Sequence, residues 1–338
     1  MLKLSVIIPV FGVEKYISRC LDSVFSIGLR DEEFEVICVD DCTKDSSVQI
    51  IEEYKFRHDN LVLLHHTENK KQGGARNTGI NHASGKYVIF VDADDRVPSY
   101  DVNSLLTYMT EHDLELFLGA ADVMSSKGNV RRWGNAPSVE SPIMLGPDIF
   151  TEGYVHKIAY GVVWMGIYSL ELVKRLPPFV EKVFFEDTDW TLRCAYEARK
   201  LQYQPIVIYN YIENEGSTTK RNSVSKLIER AQQGLRIWDW GQKTVENHEE
   251  VMMAVEDYCI WNMQAFKSLL LFGRAERSQF FNAFTEEEIA TMLKWGSNSK
   301  WKFFAKHPQS IRAFLFFVSP IACIGKRLKT TFSFSVNK

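Results

Sequence analysis

Short, unbroken apolar runs alternate with amphipathic stretches through the first hundred residues. Leu4 to Val10 is a β-branched run that stops at Pro9-Val10-Phe11-Gly12. Phe34 to Val39, Leu61 to Leu64 and Tyr87 to Val91 are three more. Runs of this length with no polar interruption mark strands covered on both faces, as in a parallel sheet. Between them the period changes. Ile17, Leu21, Val24 and Phe25 share one face of a helix from Glu14 to Phe25. Val48, Ile51 and Tyr54 share a face of a second, with cap chemistry from Thr43, Asp45 and Ser46. A polar loop, Thr67 to Gly74, opens a third helix at Ala75-Arg76-Asn77. Strands and helices alternating at this spacing give βαβ units with right-handed crossovers.

The later pattern is looser. Val102 to Met109 predicts a helix, Leu114 to Val123 a strand, 125–129 a turn and Arg131-Arg132-Trp133 a returning segment. Val162 to Tyr168 and Val207 to Ile212 predict two further strands, with a helix after Glu186 between them. From Val224 to Trp295 the apolar positions recur at helical spacing, as in Leu227, Ala231, Leu235 and Trp238, with further candidates among 255–270. The expectation is an α/β fold: a mostly parallel twisted sheet with helices on both faces, and a helical C-terminal extension. Residues 1–220 would form the sheet domain, with halves meeting near residue 98, and 221–338 the extension. No internal repeat or low-complexity segment interrupts it.

Composition changes little. The 338 residues carry a net charge of −3, which argues against a nucleic-acid partner. Six cysteines with no C-x-x-C pair predict reduced, buried thiols rather than zinc or disulfides. The N-terminus runs straight into a strand without a signal peptide, and no apolar stretch reaches the roughly 20 residues of a spanning helix. One asymmetry stands out. Glu288 is the last acidic residue, and the fifty positions after it carry nine Lys or Arg.

Candidate chemistry gathers at the carboxyl ends of the strands, where open α/β sheets bind ligands. The second strand ends in Asp40 and Asp41, and the fourth in Asp92, Asp94 and Asp95. Crowded carboxylates offer oxygen ligands to Mg²⁺ or Mn²⁺; an acidic turn capping the next helix is the alternative. The Gly73-Gly74 loop adds backbone N–H groups at a helix start, an anion site with Lys70 and Arg76 close by. Together with an aromatic at Phe11 these features describe a nucleotide-diphosphate site. G-x-G-x-x-G after the first strand and G-x-x-x-x-G-K-[ST] are both missing, which weighs against dinucleotide oxidoreductases and P-loop NTPases.

Four segments, Ser5 to Phe11, Val39 to Asp45, Gly74 to Gly79 and Phe90 to Asp95, resemble in order the signatures of family 2 glycosyltransferases, inverting nucleotide-sugar enzymes of the GT-A fold. Where the family usually has Tyr-Asn after the proline this chain has Phe11-Gly12, and where it usually has Gly-Ser after the paired aspartates it has Cys42-Thr43. The resemblance implies that Asp41 accepts from the uracil ring N–H of a UDP-sugar, and that Pro9, Val10 and Phe11 frame base and ribose. It implies that Asp92 faces the ribose beside Ala93, and that Asp94, with Asp92, binds the Mg²⁺ or Mn²⁺ bridging the diphosphate. Glu14 carries over less directly, since a helix-start glutamate favoured by the dipole explains it as well. Asp95 is read as a cap for the turn to Pro98. Lys70, Gly74 and Arg76 would line the phosphates, although Arg76 could equally pair with one of the aspartates.

Val183 to Trp190 resembles the family's Glu-Asp motif, in which a carboxylate takes the proton of the sugar-acceptor hydroxyl. Asp187 is the expected base, Glu186 the second choice, and Asp189 a helix cap. Glu213 to Thr219 resembles the Gly-Ser turn after an aromatic strand, with Asn214 and Glu215 where the family has His or Arg. The expected activity is hexosyl or N-acetylhexosaminyl transfer, with inversion, to a saccharide or lipid-linked saccharide in surface-polysaccharide synthesis. A polyprenyl-phosphate acceptor and a non-catalytic nucleotide-sugar-binding scaffold are the alternatives. Residues 300–329 alternate basic with aromatic and apolar residues, which fits an interfacial anchor on anionic lipid; a helix packed on the catalytic domain fits too. The expected location is cytoplasmic, with peripheral contact at the inner face of the cell membrane.

Overall fold

A computed structural model describes residues 2–134, 136–151, 161–214, 223–245, 251–253, 255, 256, 259, 269 and 272–295. The chain divides into two compact units, 1–217 and 218–338.

The first unit is built on one eight-stranded sheet. Its parallel half is β3 (Leu61–His65), β2 (Phe34–Asp40), β1 (Leu4–Val10) and β4 (Tyr87–Phe90), side by side in that order. Every residue of β1 is buried, as a central strand covered on both faces must be. Helices α1 (Ile17–Val24), α2 (Ser47–Lys55) and α3 (Lys71–His82) make the crossovers. Beyond β4 the sheet turns mixed. β7 (Gly166–Ser169) is antiparallel to both β4 and β5 (Leu116–Met124). β6 (Val130–Arg132) is antiparallel to β5, and β8 (Leu201–Ile212) runs parallel along it. Helix α4 (Val102–Glu111) joins β4 to β5; α5 (Asp148–Thr151), α6 (Leu170–Arg175) and α7 (Glu186–Glu197) follow.

Three elements depart from the pattern read along the chain. Helix α3 begins at Lys71, so Gly73 and Gly74 lie in its first turns, not in a loop. A Cβ on Gly73 would sit 2.5 Å from the Val180 carbonyl, and one on Gly74 only 2.3 Å from the Lys70 Cβ. The glycines are there for close packing. The strand expected over 162–168 is a 3-10 turn, Val163–Met165, followed by a shorter strand. Tyr168 explains the break: its hydroxyl donates to the Val163 carbonyl at 2.7 Å, and its ring leaves no room for a Cβ at Gly166. β8 starts six residues before Val207, because its pairing slips opposite Ala120 and accommodates Pro205.

In the second unit, helix α8 (Val224–Thr244) buries Val224, Leu227, Ala231, Gly234, Ile237 and Trp240. Leu235 and Trp238 are only half-buried, so the buried stripe is displaced from the one expected. Helices α9 (Arg274–Asn282) and α10 (Glu286–Trp295) each contact α8. The Gly216-Ser217 turn and the basic tail at 300–329 lie outside the described residues.

Candidate active site

Parallel registry brings the ends of β1, β2 and β4 to one edge of the sheet: Val10 lies beside Asp40, and Ile7 beside Phe90. At the end of β1, Phe11 is 58% exposed, an aromatic face open to a planar partner. Pro9 and Val10 are not open in this way. Both are buried in the core, and Val10 contributes its carbonyl, which accepts from the Asp41 N–H at 2.9 Å. Their side chains belong to the core, so what these two residues can present at the sheet edge is backbone. Glu14 is likewise tied to structure. Its N–H donates to Asp45, and its carboxylate accepts from the N–H of Ser46, the N-cap of α2.

Asp41 is almost fully buried and held from several sides. Its Oδ1 accepts from the Lys70 N–H at 2.7 Å and meets His66 Nδ1 at 2.7 Å, while its carbonyl accepts from Asn69 Nδ2. Lys70 is the residue from which α3 starts, so the Asp41 carboxylate already meets that helix's positive end. The Lys70 ammonium reaches Glu181 at 3.6 Å. His66 was not anticipated. The parallel pairing of Asp40 with His65, the last residue of β3, carries on one residue as the Asp41–His66 contact, so the two adjacent histidines at the end of that run were the signal in the sequence.

The turn after β4 is held by residues far away in sequence. Tyr209 of β8 accepts from the Asp92 N–H at 3.1 Å and donates to Asp95 at 2.8 Å. Asp95 also accepts from the Ile212 N–H at 2.7 Å. It is thus the tie between this turn and β8, not the local cap expected. Burial, followed by the charges of Asp92 and Asp94, pushes its carboxyl up to about 8. Arg19 of α1 donates to the Asp94 carbonyl at 2.6 Å, and Asn214 to the Asp94 carboxylate at 3.1 Å. The Asp94 carboxyl too is raised, by burial first and by Asp92 second.

Arg76 links this turn to the second acidic motif. It is 1% exposed, donates to Asp92 Oδ1 at 2.9 Å, and makes a very short contact with Glu186. Of the two options in the sequence, it is the partner of an aspartate that the structure displays. Loss of hydration disfavours the buried guanidinium, but the charges of Asp92, Glu186 and Asp187 outweigh it, and its pKa is raised. Gly73 lets the backbone at Val180 and the Glu186 side chain close on α3, and Asn77 grips the Phe179 backbone with both amide atoms at 2.9 Å. That strap delivers Glu186 and Asp187 to the first turn of α7, entered through a left-handed Phe185 with φ 64°.

Glu186 is buried and engaged by Arg76; Asp187 keeps a partial opening to solvent, and no other residue's side chain among those described hydrogen-bonds its carboxylate. Loss of hydration, then repulsion from Glu186, pushes Asp187 up to about 7, with Arg76 opposing. Asp189 does not cap the helix; it pairs with Arg193 one turn on, at 2.9 Å.

Among the described residues, no three His, Cys, Asp or Glu are grouped so as to hold a metal by themselves. Asp92 and Asp94 nevertheless fit Mg²⁺ or Mn²⁺. Both are hard oxygen donors, their mutual repulsion would be relieved by a cation, and such ions usually take further oxygens from phosphates and water.

The sequence model for Glycosyl transferase family 2 matches residues 5–173. The chain is 28% identical over 261 residues to an uncharacterized glycosyltransferase, YibD, of Escherichia coli K12, covering 76% of this chain and 75% of that one. It is 37% identical over 216 residues to the poly(ribitol-phosphate) beta-glucosyltransferase of Bacillus spizizenii W23. That alignment covers 62% of this chain but only 32% of the relative. Among solved structures, residues 1–349 of Staphylococcus aureus TarS in complex with UDP-GlcNAc superimpose with a TM-score of 0.69 at 20% identity. The match spans 96% of this chain and 89% of that one, and it speaks to the fold.

Proposed function

Because the chain belongs to glycosyl transferase family 2 and has its GT-A fold, we propose that it transfers a sugar, with inversion, from a nucleotide-diphosphate sugar to a hydroxyl of a saccharide or lipid-linked saccharide. The observation that carries this reading is Arg76. One buried guanidinium ties the donor-side carboxylate Asp92 to Glu186, and so sets Asp187 at the same site.

The donor is a UDP-sugar, with hexose or N-acetylhexosamine as the transferred group. TarS, solved with UDP-GlcNAc, and the poly(ribitol-phosphate) glucosyltransferase support that class. Phe11 stacks on the base and Asp41 accepts its ring N–H. Mg²⁺ or Mn²⁺ held by Asp94 and Asp92 would neutralise charge gathering on the departing diphosphate. Asp187 takes the proton of the acceptor hydroxyl as that oxygen bonds to C1 and the C1–O bond to the diphosphate breaks. Attack from the face opposite the leaving group inverts the anomeric centre. A base poised near neutral pH suits this step, whereas Glu186, engaged by Arg76, holds the arginine. An ionised polyprenyl phosphate would need no base, so an Asp187 carboxylate without a side-chain partner among the described residues favours a hydroxyl acceptor. The same base gives a non-catalytic scaffold no use for it.

The product class is a cell-surface polysaccharide of the teichoic-acid kind, the acceptor being met at the inner face of the cell membrane through the basic 300–329 segment. A panel of nucleotide sugars, scored for hydrolysis with Mn²⁺ and for transfer to polyol-phosphate or saccharide acceptors, tests the reading. Hydrolysis confined to one or two UDP-sugars is expected. Binding without turnover of any donor overturns transfer in favour of the scaffold.

A further inference from the structure

We propose that His66, backed by Thr78, is a positioning residue that fixes Asp41 as a pure hydrogen-bond acceptor and thereby selects a nucleobase with a ring N–H. This rests on the donor site proposed above.

The geometry is a relay. His66 Nδ1 lies 2.7 Å from Asp41 Oδ1, and His66 Nε2 lies 2.8 Å from the Thr78 hydroxyl. The imidazole is 7% exposed and Asp41 3%, so water competes with neither contact. Asp41 Oδ1 already accepts from the Lys70 N–H, and an ionised carboxylate can only accept. The proton of a neutral ring must then sit on Nδ1. That leaves Nε2 as the acceptor for the Thr78 O–H, so Asp41 sets the tautomer and Thr78 holds the ring in place. Helix α3, which also supplies Arg76 to Asp92, supplies Thr78 here.

The consequence is chemical. Two N–H donors hold Oδ1, the Asp41 backbone is held at Val10 and Asn69, and Oδ2 is the oxygen with no protein donor among the described residues. A carboxylate locked in this way attracts a ring N–H such as uracil N3–H. It repels a ring nitrogen that presents a lone pair, as cytosine N3 does. A site built for such a hydrogen bond discriminates strongly because the wrong partner leaves a buried group unpaired. Without His66 the carboxylate keeps only the Lys70 N–H on Oδ1 and can rotate, so Oδ2 is no longer held toward the base. His66 thus governs which base is accepted, without touching the base.

The test is calorimetric binding of UDP and CDP, both with Mn²⁺, to full-length wild type, His66→Leu, His66→Asn and Thr78→Val, each checked for cooperative melting. Wild type is expected to favour UDP by about tenfold or more, the scale of one charged hydrogen bond. His66→Leu should weaken UDP about tenfold and bring the two nucleotides within about threefold of each other. His66→Asn, whose amide nitrogen lies where Nδ1 lies, should restore most of the preference. Thr78→Val should erode it less. A merely structural histidine would lower melting temperature in every variant without moving the UDP-to-CDP ratio. If His66→Leu does not fold, the ratio in Thr78→Val decides. A wild-type preference undiminished in the folded variants overturns the proposal and leaves the donor site standing. Wild type that binds neither nucleotide overturns the donor site itself.

Discussion

Asp187 follows Glu186, the carboxylate that Arg76 engages, and the charge of Arg76 opposes the rise of the Asp187 pKa. For Asp187, replacement by Asn should cut transfer by about 10²–10⁴-fold, the usual worth of a positioned base, with donor affinity barely changed. Transfer by the wild type should rise with pH as Asp187 loses its proton near 7, and the variant should lack that limb. Stability should respond with the opposite sense. A carboxyl whose pKa rises from 3.8 in the unfolded chain to about 7 in the fold stabilises fully below the lower value. That contribution is lost as pH climbs through the upper one. Denaturant titrations from pH 4 to 8 should therefore show Asp187→Asn losing less stability than wild type. For Arg76, replacement by Met strands the buried Glu186 and the partly buried Asp92, a loss of about 3–5 kcal/mol by analogy with broken buried pairs. A midpoint in urea unchanged from wild type would show that Asp92 and Glu186 do not depend on it.

Between elements, two contacts set the site, and both cross long stretches of chain. Asp95 ties the turn after β4 to β8 through Tyr209 and Ile212. Asp95→Ala leaves the Tyr209 O–H without its acceptor and the Ile212 N–H without its partner, at about 1–3 kcal/mol each. Thermal melting should fall by several degrees, and UDP binding with it, since the same Tyr209 hydroxyl holds the Asp92 backbone. Gly73→Ala tests the other contact. Its Cβ would fall 2.5 Å from the Val180 carbonyl, so the strap before α7 must move. Because that strap carries Asp187 and not the β-strand ends, kcat should drop while UDP affinity holds. Equal losses in both would place the strap within the donor site.

For the whole molecule, the question is where the acceptor is met. Nine basic and no acidic residues after Glu288, interleaved with Trp301, Phe303, Phe304, Phe314, Phe316 and Phe317, are expected to meet lipid. Each cation near an anionic bilayer contributes about 1 kcal/mol, screened by salt, and the aromatics add apolar burial that salt does not weaken. Full-length protein should pellet with anionic vesicles, release partly at high salt, and bind neutral vesicles poorly. A chain ended at Trp295 should stay in solution and keep UDP affinity. Full-length protein indifferent to anionic vesicles, with a shortened chain that unfolds, would assign the tail to core packing.

What the sequence determined by itself is the part of this protein in which the information is local. Apolar runs of four to seven residues, the helices between them, and the carboxylates that end β2 and β4 are legible because period, burial and strand end are written within ten residues of one another. Four motifs in order were enough for the family. Tertiary structure decided the rest, because the partners lie far apart: Arg76 meets Glu186 across 110 positions, Asp95 meets Tyr209 across 114, and Asp94 meets Asn214 across 120. Adjacent carboxylates look alike in a sequence. Packing alone left Asp187 without a side-chain partner among the described residues, engaged Glu186 with an arginine and turned Asp95 into a cross-tie, since burial and the nearest cation, neither of them local, set what each carboxylate can do.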